Sequence, residues 1–170
     1  MRRRRLPAEG QPPAELPRTV VGQFFRAITT GETALRKKLS AKLGGGKPGW
    51  NYDEPAVIET ACQLAVRRLW GTDYDVRDIT AAVTFMRQAD QAGGRTPPGQ
   101  LEMEAIIRGA LGEPDVDTSG IIPPIIFEVE IAVTGYAIRK LSLSQTEIDR
   151  LIVEAENIAF ERGWNPPLAD

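Results

Sequence analysis

The chain has 170 residues, enough for one domain that buries a core without disulfides or structural metals. Hydrophobic residues make up 42% and charged residues 26%, the balance of a globular protein rather than a disordered one. The chain contains no histidine, which excludes Ser-His and Cys-His catalysis and every histidine-containing metal site.

The net charge of −2 conceals an uneven distribution of charge along the chain. Residues 1–47 hold 11 Lys/Arg and 3 Asp/Glu, a net charge of +8, whereas residues 48–170 hold 10 and 20, a net charge of −10. A basic segment beside an acidic body predicts contact with an acidic protein surface or with nucleic-acid phosphates; a segment that only keeps the protein soluble is the alternative. The candidate contact residues are Arg2, Arg3, Arg4, Arg5, Arg36, Lys37, Lys38 and Lys42.

The N-terminal part divides at residue 17. Residues 1–17 contain four prolines and no apolar period, which predicts a disordered or extended basic arm. Residues 18–47 carry apolar stripes at helical spacing, so we predict a basic helical segment, broken or bent near Gly31. No apolar run is long enough to cross a bilayer, and Leu6-Pro7 follow the arginines where a signal peptide would be apolar. We therefore expect a cytoplasmic protein.

Residues 48–170 are predicted to form an acidic helical core domain. Asp53 and Asp75 are N-cap candidates for its first two helices, and Thr96, before two prolines, marks the predicted start of a third. The first of these helices contains Cys62, the chain's single cysteine, which its apolar neighbours predict to be a buried hydrophobic residue.

Two further helices complete the predicted core domain. Residues 121–141 alternate in part as a strand would, but the apolar character continues too far for a strand, so we favour a largely buried helix. Ser144 and Glu147 form a capping box at the start of the last helix. The pattern predicts an all-α fold, a compact bundle or orthogonal array of about six helices.

The segment Asp115–Ile122 resembles the first half of an EF-hand calcium loop, with oxygen ligands at Asp115, Asp117 and Ser119 and a glycine in the sixth position. The position that supplies a bidentate glutamate in such loops is Ile126 here. We therefore expect a polar loop in which Thr118 or Ser119 caps the next helix, and we predict neither a bound metal nor another cofactor.

The chain has many carboxylates, most of which are expected on solvated faces. Glu128 and Glu130 are the exception, because they lie in an apolar segment and need a partner or an aqueous cavity. Their i,i+2 spacing puts them on different helix faces, a poor arrangement for one metal or one acid/base pair. The last helix carries five acidic residues against two arginines, which makes it a poor DNA recognition helix.

No catalytic residue is predicted, and the leading hypothesis is a non-enzymatic interaction protein. It would act as an adaptor, assembly or scaffold component and form homo-oligomers through its basic N-terminal segment and acidic body, or bind another protein. One alternative is a nucleic-acid-binding regulator that uses the basic arm. Another is a carboxylate- or metal-dependent enzyme built around Glu128 and Glu130.

Overall fold

The structure is a computed structural model, and it describes residues 15–43 and 53–170. Over these residues the fold is all-α, as predicted, and no described residue lies in a β-strand. Its seven helices are α1 Val20–Thr30, α2 Thr33–Lys42, α3 Glu54–Trp70, α4 Val76–Ala92, α5 Gln100–Ala110, α6 Pro123–Lys140 and α7 Gln145–Glu161. None of them combines the length and the hydrophobicity needed to span a membrane.

The chain start is only partly covered. Residues 1–14 and 44–52 lie outside the described part, so the predicted arm and its four arginines are not placed. The predicted break near Gly31 is confirmed, since α1 ends at Thr30 and Gly31 adopts a left-handed conformation at φ 74°. The basic segment therefore forms two helices rather than one, and the division of the chain at residues 17 and 47 stays a prediction.

The helices α3 and α6 form the centre of the fold, with a separate apolar cluster on each side. One cluster joins them to α1 and α7 through side chains such as Phe25, Ile58 and Leu151. The other joins them to α4 and α5 through side chains such as Val83 and Ile107. Burying each of these large side chains contributes about 1.5–3 kcal/mol to folding. The prediction that residues 121–141 form a helix is confirmed, and the buried residues of α6 lie between Val129 and Ile138.

The helix starts agree with the sequence in part. Asp75 accepts a hydrogen bond from the Arg77 amide at 2.9 Å, and Ser144 and Glu147 form the predicted capping box. The expected start of the third core helix at Thr96 is wrong, because α5 begins after Gly99. A residue that precedes proline is disfavoured in the helical conformation, which moves the helix start beyond the two prolines.

A buried carboxylate on α7 fixes the start of the described chain. Glu156 is fully buried, and its oxygens accept hydrogen bonds from the amides of Arg18 and Thr19 and from the Thr19 hydroxyl, at 2.7–3.0 Å. The Thr19 hydroxyl oxygen in turn accepts from the Gly22 amide and caps α1. This network joins the first described residues to the last helix.

The two ends of the described chain also pair with each other. The Val20 amide donates to the Pro167 carbonyl at 2.9 Å, and the Ala169 amide donates to the Arg18 carbonyl at 2.8 Å. These bonds hold residues 18–20 beside the C-terminal segment that follows α7. The described chain therefore begins beside that C-terminal segment.

Candidate functional site

A groove of about 600 Å³ opens between α3, α5, α6 and the loop that follows α5. Three carboxylates line it, Glu59, Glu113 and Glu130, and no Lys or Arg is among its described lining residues. Its apolar surface comes from Ile106, Ala110, Val116, Ile126 and Phe127, and Trp164, which follows α7, also lines it. We call this site the acidic groove.

Glu130 is the unusual residue of the acidic groove. Packing of α6 along α3 leaves it only 7% exposed, yet no cation and no hydrogen-bond donor among the described residues contacts its side chain. Burial, followed by repulsion from Glu59, raises the pKa of this carboxyl to about 8. No buried side-chain oxygen of the described residues lacks a hydrogen-bond partner, so the unpartnered carboxyl oxygens of Glu130 reach the groove. A cation placed there would favour the ionised form of this carboxyl.

Glu113, at the other end of the groove, has the partners that Glu130 lacks. The Tyr74 hydroxyl donates to its Oε1 at 2.5 Å, and Arg108 Nε donates to its Oε2 at 2.7 Å. The hydrogen bond from Arg108, followed by that from Tyr74, holds the pKa of Glu113 below its usual range. This carboxylate is neutralised within the chain, whereas Glu59 and Glu130 have no cationic partner among the described residues.

Cys62 lies beside Glu130, where α3 packs against α6. Its thiol is fully buried, as predicted, and burial followed by the charge of Glu130 raises its pKa. The neighbouring Thr134 hydroxyl donates to the backbone carbonyl of Glu130 at 2.6 Å. A buried thiol with a raised pKa is not a nucleophile at neutral pH, so Cys62 is a packing residue.

The predicted pair Glu128 and Glu130 does not form one site. Glu128 is exposed and does not line the acidic groove, so the expectation that both need a partner or a cavity is wrong for Glu128. Glu130 instead shares the groove with Glu59, on a different helix. No sequence pattern points to Glu59, because its proximity to Glu130 depends on how α3 and α6 pack.

The predicted basic residues of α2 lie at the surface. Arg36, Lys37, Lys38 and Lys42 are all exposed, and Lys42 Nζ lies 3.6 Å from the Asp170 carboxylate. The other three have no carboxylate within ion-pair distance among the described residues. Arg2, Arg3, Arg4 and Arg5 lie outside the described ranges.

The segment that resembles a calcium loop is an exposed connection between α5 and α6. Asp117 accepts a hydrogen bond from the Ser119 amide at 2.9 Å, and hydrogen bonds from the Ser119 side chain and backbone lower the pKa of Asp117. The expectation that Thr118 or Ser119 caps the next helix is wrong, because the N-cap of α6 is Ile122, without a side-chain bond. Within residues 15–43 and 53–170, no cluster of three or more potential metal ligands occurs, at Asp115 or elsewhere.

No protein-family model matches the chain, and no curated protein or solved structure is significantly similar to it. What the acidic groove binds is therefore inferred from its lining residues alone. The groove combines two carboxyls without cationic partners, apolar side chains and two aromatic rings. Such a lining suits a cationic, partly apolar group.

Proposed function

We propose that this protein is a non-enzymatic helical interaction protein, an adaptor, assembly or scaffold component that self-associates. In this proposal the basic segment, residues 1–47, of one copy contacts the acidic body, residues 48–170, of another. The observation that carries the proposal is Glu130, a buried carboxyl that lacks a cationic partner within the described chain. Complementary charge on a second copy supplies that partner.

The basic segment supports the proposal from the opposite side. Arg36, Lys37 and Lys38 follow one another on an exposed stretch of α2 that packs mainly on α1, and none of them forms an ion pair with a described residue. Residues 1–47 carry a net charge of +8 and residues 48–170 a net charge of −10, so two copies can attract each other through these parts. We place the protein in the cytoplasm, where a lone reduced cysteine such as Cys62 is stable.

Light scattering on the full chain at low and high salt tests the proposal. We expect an oligomer that dissociates toward monomer as salt rises, because ions at about 1 M reduce the reach of charge interactions to about 3 Å. A monomer at every ionic strength and concentration would contradict the proposal.

A triple variant of α2 tests the contribution of the basic face. Arg36→Gln/Lys37→Gln/Lys38→Gln removes three positive charges, and we expect it to weaken self-association by roughly tenfold. The matched control is Arg77→Gln/Arg139→Gln/Arg162→Gln, which removes three exposed positive charges from other helix ends. Equal weakening by both variants would show that net charge matters and that the α2 face does not.

A nucleic-acid-binding regulator is the second candidate function. The exposed run Arg36–Lys38, which forms no ion pair with a described residue, supports it, because such a run contacts phosphates without sequence preference. A mobility shift of duplex DNA or RNA that weakens in the α2 triple variant would support this candidate. The enzyme hypothesis has less support, since Glu128 lies outside the acidic groove.

A further inference from the structure

We infer that the acidic groove is a binding site for guanidinium groups and that its occupant is the arginine run Arg2–Arg5 of a second copy. This inference rests on the self-association proposed above and names the two surfaces that meet. It also assigns a role to Glu59 and Glu130, which the fold itself leaves without one.

The carboxyl of Glu130 has no partner among the described residues. It lines the acidic groove, is more than nine-tenths buried, and has no described donor or cation against it. Glu59 faces the same space from α3, so a cation placed between the two satisfies both. Guanidinium suits this position, because it is planar, weakly hydrated and able to donate to two carboxylates at once.

The remaining walls of the groove suit the same segment. Phe127 and Trp164 line the groove, and aromatic rings are groups on which a guanidinium stacks. The apolar floor around Ile106 and Ile126 fits the aliphatic stems of arginine side chains and the Leu6-Pro7 that follows the arginine run. The only run of four cations in the chain is Arg2–Arg5, which makes it the best charge complement that the sequence contains.

The described chain begins close to the acidic groove. Pro17 and Arg18 share a cavity with Asn165, and the preceding residue, Trp164, lines the acidic groove. Arg5 and Pro17 are twelve residues apart, a span of about 40 Å when extended. Each N-terminal segment thus starts beside a groove, and two copies that face each other can exchange segments in a closed two-fold dimer.

Single substitutions in the full chain test the receptor side. We expect Glu130→Gln and Glu59→Gln each to raise the dimer dissociation constant, measured by sedimentation velocity. For the buried Glu130 the increase should be at least about tenfold. Glu128→Gln is the matched control, because Glu128 is on the same helix, is exposed and does not line the groove; we expect it to leave the dimer unchanged. Circular dichroism of each variant establishes that the helices are retained.

A peptide titration tests the ligand side independently. The probe is an acetylated Arg-Arg-Arg-Arg-Leu-Pro-Ala peptide, residues 2–8, added to the full chain carrying Arg2→Gln/Arg3→Gln/Arg4→Gln/Arg5→Gln. We expect a saturable change in tryptophan emission that disappears in Trp164→Phe and in Glu130→Gln. A peptide with citrulline in place of arginine, which has the same shape without the charge, should not bind.

The outcomes separate this inference from the proposed function. A dimer that is insensitive to both Glu59→Gln and Glu130→Gln, or a peptide that does not bind, overturns the groove as receptor and leaves self-association intact. A chain that is monomeric at every salt concentration overturns the proposed function and the second copy as the source of the occupant. If the fourfold arginine variant changes Trp164 emission equally at all protein concentrations, the arginine run binds within its own chain. That result overturns the claim that the occupant comes from a second copy.

Discussion

Replacing Gly22 with alanine adds one carbon atom at the most crowded glycine of the structure. Gly22 lies in the first turn of α1, against the buried carboxylate of Glu156. A β-carbon there would lie 2.9 Å from Thr19 Oγ1, 3.1 Å from Glu156 Cδ and closer still to Glu156 Oε1. The chain accommodates that carbon only if the carboxylate moves.

The carboxylate of Glu156 is not free to move, and this sets the size of the effect. Its oxygens accept from the Arg18 amide, the Thr19 amide and the Thr19 hydroxyl. Weakening one hydrogen bond to a charged group costs about 1.5–3 kcal/mol, and crowding in a packed site costs a further 1–3 kcal/mol or so. Alanine returns about 1 kcal/mol of helix propensity. We therefore expect Gly22→Ala to lower the free energy of unfolding by about 2–4 kcal/mol.

Chemical denaturation followed by circular dichroism measures this loss, and Gly135→Ala is the matched control. Gly135 lies within α6, and a β-carbon there would meet only Arg139 Nη1, at 3.5 Å. The same substitution should thus raise the free energy of unfolding by roughly 0.5–1 kcal/mol. Two glycine-to-alanine changes in helices then have opposite signs.

A double-mutant cycle attributes the loss to the carboxylate. In a Glu156→Ala background the main obstructing oxygen is gone, so the cost of Gly22→Ala should fall from about 2–4 kcal/mol to close to zero, a coupling of about 2–4 kcal/mol. If Gly22→Ala is as harmless as Gly135→Ala, or costs the same in both backgrounds, Glu156 does not hold the chain start as described.

Two further changes test local features of α6. Glu130→Gln should stabilise the fold by up to about 5 kcal/mol near pH 9 and by little near pH 5. The folded pKa of Glu130, about 8, lies above the ordinary 4.5, so the free-energy cost of its buried charge grows as the pH rises between these two values. Denaturation at both pH values checks this, and a difference independent of pH would refute it. Ser142→Gly, just after α6, should stabilise by about 1 kcal/mol, because Ser142 adopts a left-handed φ of 52°; thermal melting that shows no gain would contradict this.

The fold was largely predictable because its signals are local. Apolar residues at helical spacing and the capping box at Ser144 depend on residues within a few positions of one another, and both are confirmed in α7. The prediction of a helix rather than a strand at residues 121–141 is also confirmed, because the apolar segment is too long for a typical strand. The error at Thr118 and Ser119 has a local cause as well, because Ser119 bonds to Asp117 within the loop and the N-cap of α6 is Ile122.

The acidic groove was not predictable, because long-range packing creates it. Glu59 and Glu130 are 71 positions apart and meet only through the pairing of α3 with α6. Glu156 and Arg18 are 138 positions apart and meet only through the docking of the chain start on α7. Helical periodicity assigns a residue to a face but does not say which other helix that face contacts.

The buried carboxylates of this fold differ in a way that singles out Glu130. Asp149 receives a hydrogen bond from Arg26 Nε at 2.7 Å, and Glu156 receives bonds from two amides and a hydroxyl. These contacts offset the cost of burial, whereas Glu130 has no described partner. A residue that lowers the stability of the fold and has no structural role is typical of a functional site. Glu130→Gln should therefore raise stability and weaken self-association together; a stabilised variant that still self-associates normally would leave Glu130 without the role inferred for it.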